Sequence, residues 1–403
     1  MRANIIKRAD KIKGKCLKPL SFVLCLFMAF GPASGILASS ATNESIAYLD
    51  TLDQLAANEA AKELFTLAQI RELSRAKGAE TQQAQSKMSI AQAEKDAADM
   101  KVYNARWNIM FPEAAAPGAE AALASAYTGQ ERAVTSLDDA RATLESQKET
   151  AVYMGEKLFF DYLQLRESLV LLEQSIELGS EQLRIERLRA RIGLSTGTEV
   201  LKKSLALDEL MDNRQDLITK IDMVGRNLMR QIGKPGDLAF RLDPAFSIEG
   251  MKTEYDPDKL ADLAIKNNLN LGVLNRGIDK GMETLKTTGM APTERFQFGA
   301  ELDSTILTRD NLIQNLRLLA RSTVTGLNTS KAELALLEKT IEDKQAARKL
   351  MELQVSLGLA PKLGLMGAEL ELARAENNLL KVQQSYYLAL RKAELLVKGV
   401  AIT

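Results

Sequence analysis

The side chains that usually carry out covalent chemistry are scarce in this sequence. It contains no histidine, so an imidazole base and a histidine-ligated zinc are both excluded. Its two cysteines, Cys16 and Cys25, both lie in the first forty residues. No glycine-rich phosphate loop is present, and the many Asp and Glu residues alternate with Lys and Arg as they do on solvated helix faces. No catalytic residue, cofactor site or metal site is therefore assigned. The residues with the most specific demands are instead two glycine-centred turns, Gly193-Leu194-Ser195-Thr196-Gly197-Thr198-Glu199 and Gly358-Leu359-Ala360-Pro361. Glycine readily takes the left-handed conformation that ends a helix, and a leucine directly after it can fold back on the last turn. Leu194 is thus expected over Leu188, and Leu359 over Leu353. Thr196 and Glu199 have the spacing of a capping box for the next helix, and Pro361 suits a helix start, where a missing N–H costs little.

Helices must position these turns, and the composition supplies them. Hydrophobic residues make up 46% of the 403 positions but aromatics only 5%, a balance that favours long helices over sheets. Lys plus Arg and Asp plus Glu each number 53, which argues against a nucleic-acid partner, since that would require a basic surplus. Helical spacing without proline runs over 44–111, 118–192, 199–232, 257–286, 310–357 and 363–398. Such lengths point to coiled coil. The best-punctuated linker is 233–257, with Pro235, Gly236, Pro244, Gly250 and Pro257.

The amino terminus reads as an address. Seven basic residues and one acid precede an apolar run from Leu20 to Phe30, which small residues follow. That order is the order of a secretory signal peptide over 1–40, with an uncleaved anchor as the alternative. Without it, 46 basic and 52 acidic residues remain, a net charge of −6, and no thiol is left.

The chain also repeats itself. A shift of 165 residues carries Gly193-Leu194 onto Gly358-Leu359 and Leu188 onto Leu353. The last helix has an apolar three-four seam running through Leu365, Ala368, Leu372, Ala375, Leu379, Val382, Tyr386, Ala389, Ala393 and Leu396. Moved back by the same shift, seven of those ten positions stay apolar. A duplicated pair of helical units, 41–232 and 258–403, explains both agreements. Any long antiparallel coiled coil would show a similar seam.

Met110-Phe111-Pro112 between two long helices, the turn GLSTGTEVL, the heptad return helix, the Ala264–Leu271 segment and the 165-residue duplication together resemble the TolC-like outer-membrane efflux proteins over about residues 45–398. The resemblance implies an all-α fold of long antiparallel coiled-coil helices in two duplicated halves. It further implies a homotrimer forming a hollow helical cylinder, whose glycine turns meet the helical hairpin of a periplasmic adaptor protein linked to an inner-membrane pump. The family also inserts a β-hairpin in each repeat. Here the first position, 113–127, is rich in alanine, and the second offers one short alternating stretch, Phe296 to Leu302. A spanning strand needs about 9–11 alternating residues, so little or no β-barrel is expected, and an exported envelope location without a barrel across an outer membrane. The family's constriction uses carboxylates just past the second turn; Gly364 and Gly367 stand at those positions here, while Glu199 keeps an acid past the first. The expected function is an exit duct for export or efflux, with a structural spacer of the cell envelope as the alternative.

Overall fold

The computed structural model describes residues 63–110, 118–248, 250–286 and 292–402. The expected signal segment and the stretch 44–62 lie outside them. In chain order the described elements are β1 (Glu63–Phe65), α1 (Leu67–Lys77), α2 (Ala79–Met110), α3 (Ala119–Arg191), α4 (Gly197–Gln231), β2 (Phe240–Leu242), α5 (Pro257–Asn267), α6 (Leu269–Lys286), α7 (Pro292–Ser356) and α8 (Lys362–Val397). At about 1.5 Å per residue, the 73 residues of α3 reach on the order of 110 Å.

Each half begins in the same way. The Thr66 side chain caps α1 and completes a capping box with Gln69. The Asp256 carboxylate caps α5 by accepting from the N–H groups of Asp258 and Lys259. Both first helices are 11 residues long and stop at an extended residue, Gly78 or Asn268. The carbonyl of that residue then accepts the first bond of the next helix, from Gln82 or Gly272. Thr66 and Asp256, and likewise Gly78 and Asn268, are 190 residues apart. The later parts of the halves correspond at 165 residues instead, because α2 and α3 together exceed α6 and α7 in length.

The long helices pack as antiparallel hairpins, α2 with α3, α3 with α4, α6 with α7 and α7 with α8, and α8 also lies along α3. One core gathers Phe65, Ile70, Phe159, Phe160, Leu228 and Tyr387; its counterpart gathers Leu260, Ala264, Ala320, Val324, Leu390 and Ala393. The chain approaches itself closely at α1. A Cβ on Gly155 would stand 2.2 Å from the Ser74 Oγ, and one on Gly78 would stand 2.8 Å from the Ala151 Cβ. Small residues on α3 are what let α1 lie against it.

Several local expectations need correction. The first helical run is interrupted by β1 and by Gly78, and the run over 257–286 is interrupted at Asn268. The 233–257 linker contributes β2, which pairs in parallel with β1 from Glu63 opposite Phe240 to Phe65 opposite Leu242. These three-residue strands are the β-structure among the described residues, and no barrel is present there. The alternating stretch from Phe296 to Leu302 is helix, inside α7. Alternation over seven residues is too short to outweigh the helix-favouring residues on both sides, and Phe296 ends up 80% exposed. No described helix is long and apolar enough to cross a membrane.

Candidate functional site

The two glycine turns join α3 to α4 and α7 to α8, and each is built by the same backbone bonds. Gly193 has φ 76° and Gly358 φ 71°. The N–H of Gly193 donates to the Ala190 carbonyl (3.2 Å), and that of Leu194 to the Arg189 carbonyl (2.8 Å). In the second turn Gly358 donates to Val355 (3.0 Å) and Leu359 to Gln354 (2.8 Å). These crossed bonds are the Schellman pattern, which satisfies carbonyls that a helix end would otherwise leave open. A Cβ on either glycine would meet nothing within 4 Å. Glycine is required by the positive φ, not by crowding.

In the first turn, the Thr196 Oγ1 accepts from the Glu199 N–H at 3.3 Å. The capping box is only half made, because the Glu199 carboxylate turns to Lys202 at 2.8 Å. That hydrogen bond to Lys202 holds the Glu199 carboxyl below its usual range. The Ser195 hydroxyl donates to Glu186, so both tip acids have partners within the chain. Gly197 and Thr198 are exposed at the start of α4. In the second turn Pro361 takes the cap position without a side-chain bond, and its carbonyl accepts from Gly364 at 2.9 Å. Ala360 is half-buried.

The leucines after the glycines do not close over their helices. Leu194 is 67% exposed and Leu359 75%, and Ile192, Leu357, Leu188 and Leu353 are exposed beside them. Each reversal thus presents a small apolar knob to solvent. The knobs were legible only in part, since Ile192 and Leu357 read as ordinary last-turn residues. Of the two later glycines, Gly364 lies where a Cβ would stand 3.1 Å from the Met351 sulfur, whereas Gly367 faces open space.

Both reversals lie at one end of the paired hairpins. Leu370 and Arg374 of α8 share a recess with Leu178, Gly179 and Gln182 of α3 and Leu207 and Leu210 of α4. The carboxyl of Glu181 is held below its usual range, mainly by Arg184 and in smaller part by Lys362 of the other hairpin. Arg214 reaches Glu173 at 3.3 Å across the first hairpin, and Arg348 reaches Glu369 at 3.2 Å across the second.

Away from the tips stands a feature that sequence reasoning missed. Glu156 of α3 is fully buried, and its carboxylate accepts from Tyr387 (3.0 Å) and Arg391 (3.2 Å) of α8 and from Arg71 of α1. Arg391 titrates above its usual range: burial opposes its charge, but Glu156 and Glu394 outweigh that. Next to it, Glu149 pairs with Arg75 and, at 2.8 Å, with Lys398. The signal was present, a charge set among Val152, Phe159 and Phe160, but an acid in a helix rich in acids does not announce burial.

No protein-family model matches the sequence. No curated protein matches it either. Solved structures do match the fold. The outer membrane channel CmeC of Campylobacter jejuni superposes with a TM-score of 0.59 at 9% identity, over 83% of this chain and 86% of the channel. The open state of the Neisseria gonorrhoeae outer membrane channel MtrE gives 0.54 at 12% identity, over 83% and 89%. The Vibrio cholerae outer membrane protein VceC gives 0.53 at 11% identity, over 84% and 97%. The chain therefore has the TolC-like outer membrane factor fold.

Proposed function

We propose that this chain is the exit-duct component of an export or efflux system in the cell envelope. Three copies stand side by side as an α-helical conduit, and the reversals at Gly193 and Gly358 dock the helical hairpin of a periplasmic adaptor protein bound to an inner-membrane pump. The chain does no covalent chemistry in this role. The observation that carries the reading is the pair of equivalent Schellman reversals at one end of the α3/α4 and α7/α8 hairpins, each with exposed leucines beside its glycine. Exposed apolar knobs of that size fit the grooves of a partner helix pair. With Gly364 and Gly367 past the second turn, passage at the tip is controlled by how closely the helices approach and not by a ring of charge. The continuous helices on both sides of 111–117 and 287–291 support an exported protein that does not cross an outer membrane as a barrel. The same feature favours a second reading, an envelope spacer that uses these helices as a rod.

Gly193→Val and Gly358→Val test the docking role. Both force a β-branched residue into positive φ, and because a Cβ there meets nothing, helix content by circular dichroism should barely change. Cells relying on either variant should retain ethidium as cells lacking the protein do. Wild-type export by both variants would contradict docking through the tips, and an envelope-shape defect without dye retention in the deletion strain would favour the spacer.

A further inference from the structure

The two reversals share their apolar surface and differ in the charge around it. At the 165-residue offset Leu188, Ile192 and Leu194 of the first correspond to Leu353, Leu357 and Leu359 of the second, and all six are exposed. The charges do not correspond. Arg187, Arg189 and Arg191 of α3 fall on Glu352, Gln354 and Ser356 of α7, and Lys202 and Lys203 of α4 fall on Gly367 and Ala368 of α8. Over 184–203 six basic residues stand against two acids, whereas the equivalent stretch 349–368 holds two basic residues and one acid.

The first reversal turns its cations outward. Arg184, Arg187, Arg189, Arg191, Lys202 and Lys203 are all exposed. Glu186 is 14% exposed and accepts from the Ser195 hydroxyl, while Arg189, its ion-pair partner, is 55% exposed. Arg184, Arg187 and Arg191 lie at i, i+3 and i+7, one stripe along the end of α3. Arg184 reaches Glu181 at 2.7 Å, but Arg187 and Arg191 pair with no acid among the described residues. Like charges a turn apart on a helix repel, so the stripe costs the isolated chain stability.

The helices themselves account for only part of this charge. Arg189 and Arg191 stand in the last turn of α3, where cations meet the negative end of the helix dipole. Arg187 precedes that turn, and Lys202 and Lys203 follow the start of α4, whose dipole gives a cation no advantage. The last turn of α7 carries no basic residue, yet it ends in the same Schellman bonds. The turn geometry therefore does not require the charge.

Both reversals lie at one end, so a flat anionic surface such as a bilayer would meet the two alike. A charge difference between them calls for a partner that presents a different segment to each. We infer that the first reversal docks an acidic segment of the partner's helical hairpin, with carboxylates on Arg187 and Arg191 and apolar residues around Leu194, whereas the second docks an uncharged segment through Leu357 and Leu359. Complementary charge of this kind fixes which segment meets which reversal and speeds the encounter more than it adds affinity. The inference rests on the docking reading and adds to it the chemistry of the partner.

The test uses the purified full chain and two labelled synthetic helical hairpins that share an apolar seam and carry either glutamates or lysines beside the turn. Binding is read by fluorescence anisotropy. The glutamate hairpin should bind at least tenfold more tightly in low salt and lose that advantage in about 0.5 M salt. Arg187→Glu/Arg191→Glu should abolish the advantage with helix content unchanged, and both Arg187→Lys/Arg191→Lys and Lys349→Glu/Lys362→Glu should keep it. No advantage for the glutamate hairpin, or one that survives Arg187→Glu/Arg191→Glu, overturns the inference. So does binding of phosphatidylglycerol vesicles through Arg187 and Arg191 without any hairpin preference, which would assign this face to a membrane. Dye retention by cells carrying Gly193→Val or Gly358→Val is read separately, so docking through the tips stands even where the acidic partner falls.

Discussion

Glu156 concentrates the electrostatic consequences of the fold in a single side chain. Its carboxylate has no exposure and three donors, from α1 and α8. A buried ion is tolerable only while it is paired, and removing one member strands the other. Replacement by alanine leaves Arg391, itself only 15% exposed, without its main counter-charge. We expect Glu156→Ala to lower stability by about 3–5 kcal/mol, read as a shift of the urea midpoint, and Glu156→Gln to lose less because it still accepts from Tyr387. An unshifted midpoint in the alanine variant would mean that the cluster contributes nothing to folding. The tip residues contrast with this. A Cβ on Gly193 or Gly358 would meet nothing, and Leu194 and Leu359 are mostly exposed, so their demands on sequence are conformational and, in the proposed role, intermolecular.

Among the elements, α1 packs tightly on α3. Ser74 is buried against Gly155, and a Cβ at that glycine would overlap the serine hydroxyl. Gly155→Val should therefore cost about 1–3 kcal/mol through overpacking and separate α1 from α3, measurable as faster amide exchange over 67–77. Normal exchange there would show that the contact is slack. The long helices were readable because their signal accumulates over many turns, as with the seam of α8 from Leu365 to Leu396. The short elements were not. Three-residue strands at Glu63 and Phe240 carry no periodicity, and they pair across a sequence separation that nothing local encodes. The half-open capping box has a similar cause, since Glu199 has a lysine three residues on that competes for its carboxylate. The Phe296–Leu302 alternation is the opposite case, a short local pattern inside a helix of 65 residues.

At the scale of the whole molecule, duplication explains why the halves look alike and divergence explains why they differ. The duplication was legible through Gly193 and Gly358, and with it the fold that the chain shares with outer membrane channels. What divergence did to the two reversals was not legible, because it required knowing which charges the fold leaves uncovered. The proposed conduit requires that copies of this chain enclose a passage. End-on electron-microscopy projections of the purified full chain decide whether they do. A closed ring of copies around an open centre is expected; single particles of one copy, or a bundle filled to its axis, would refute the conduit.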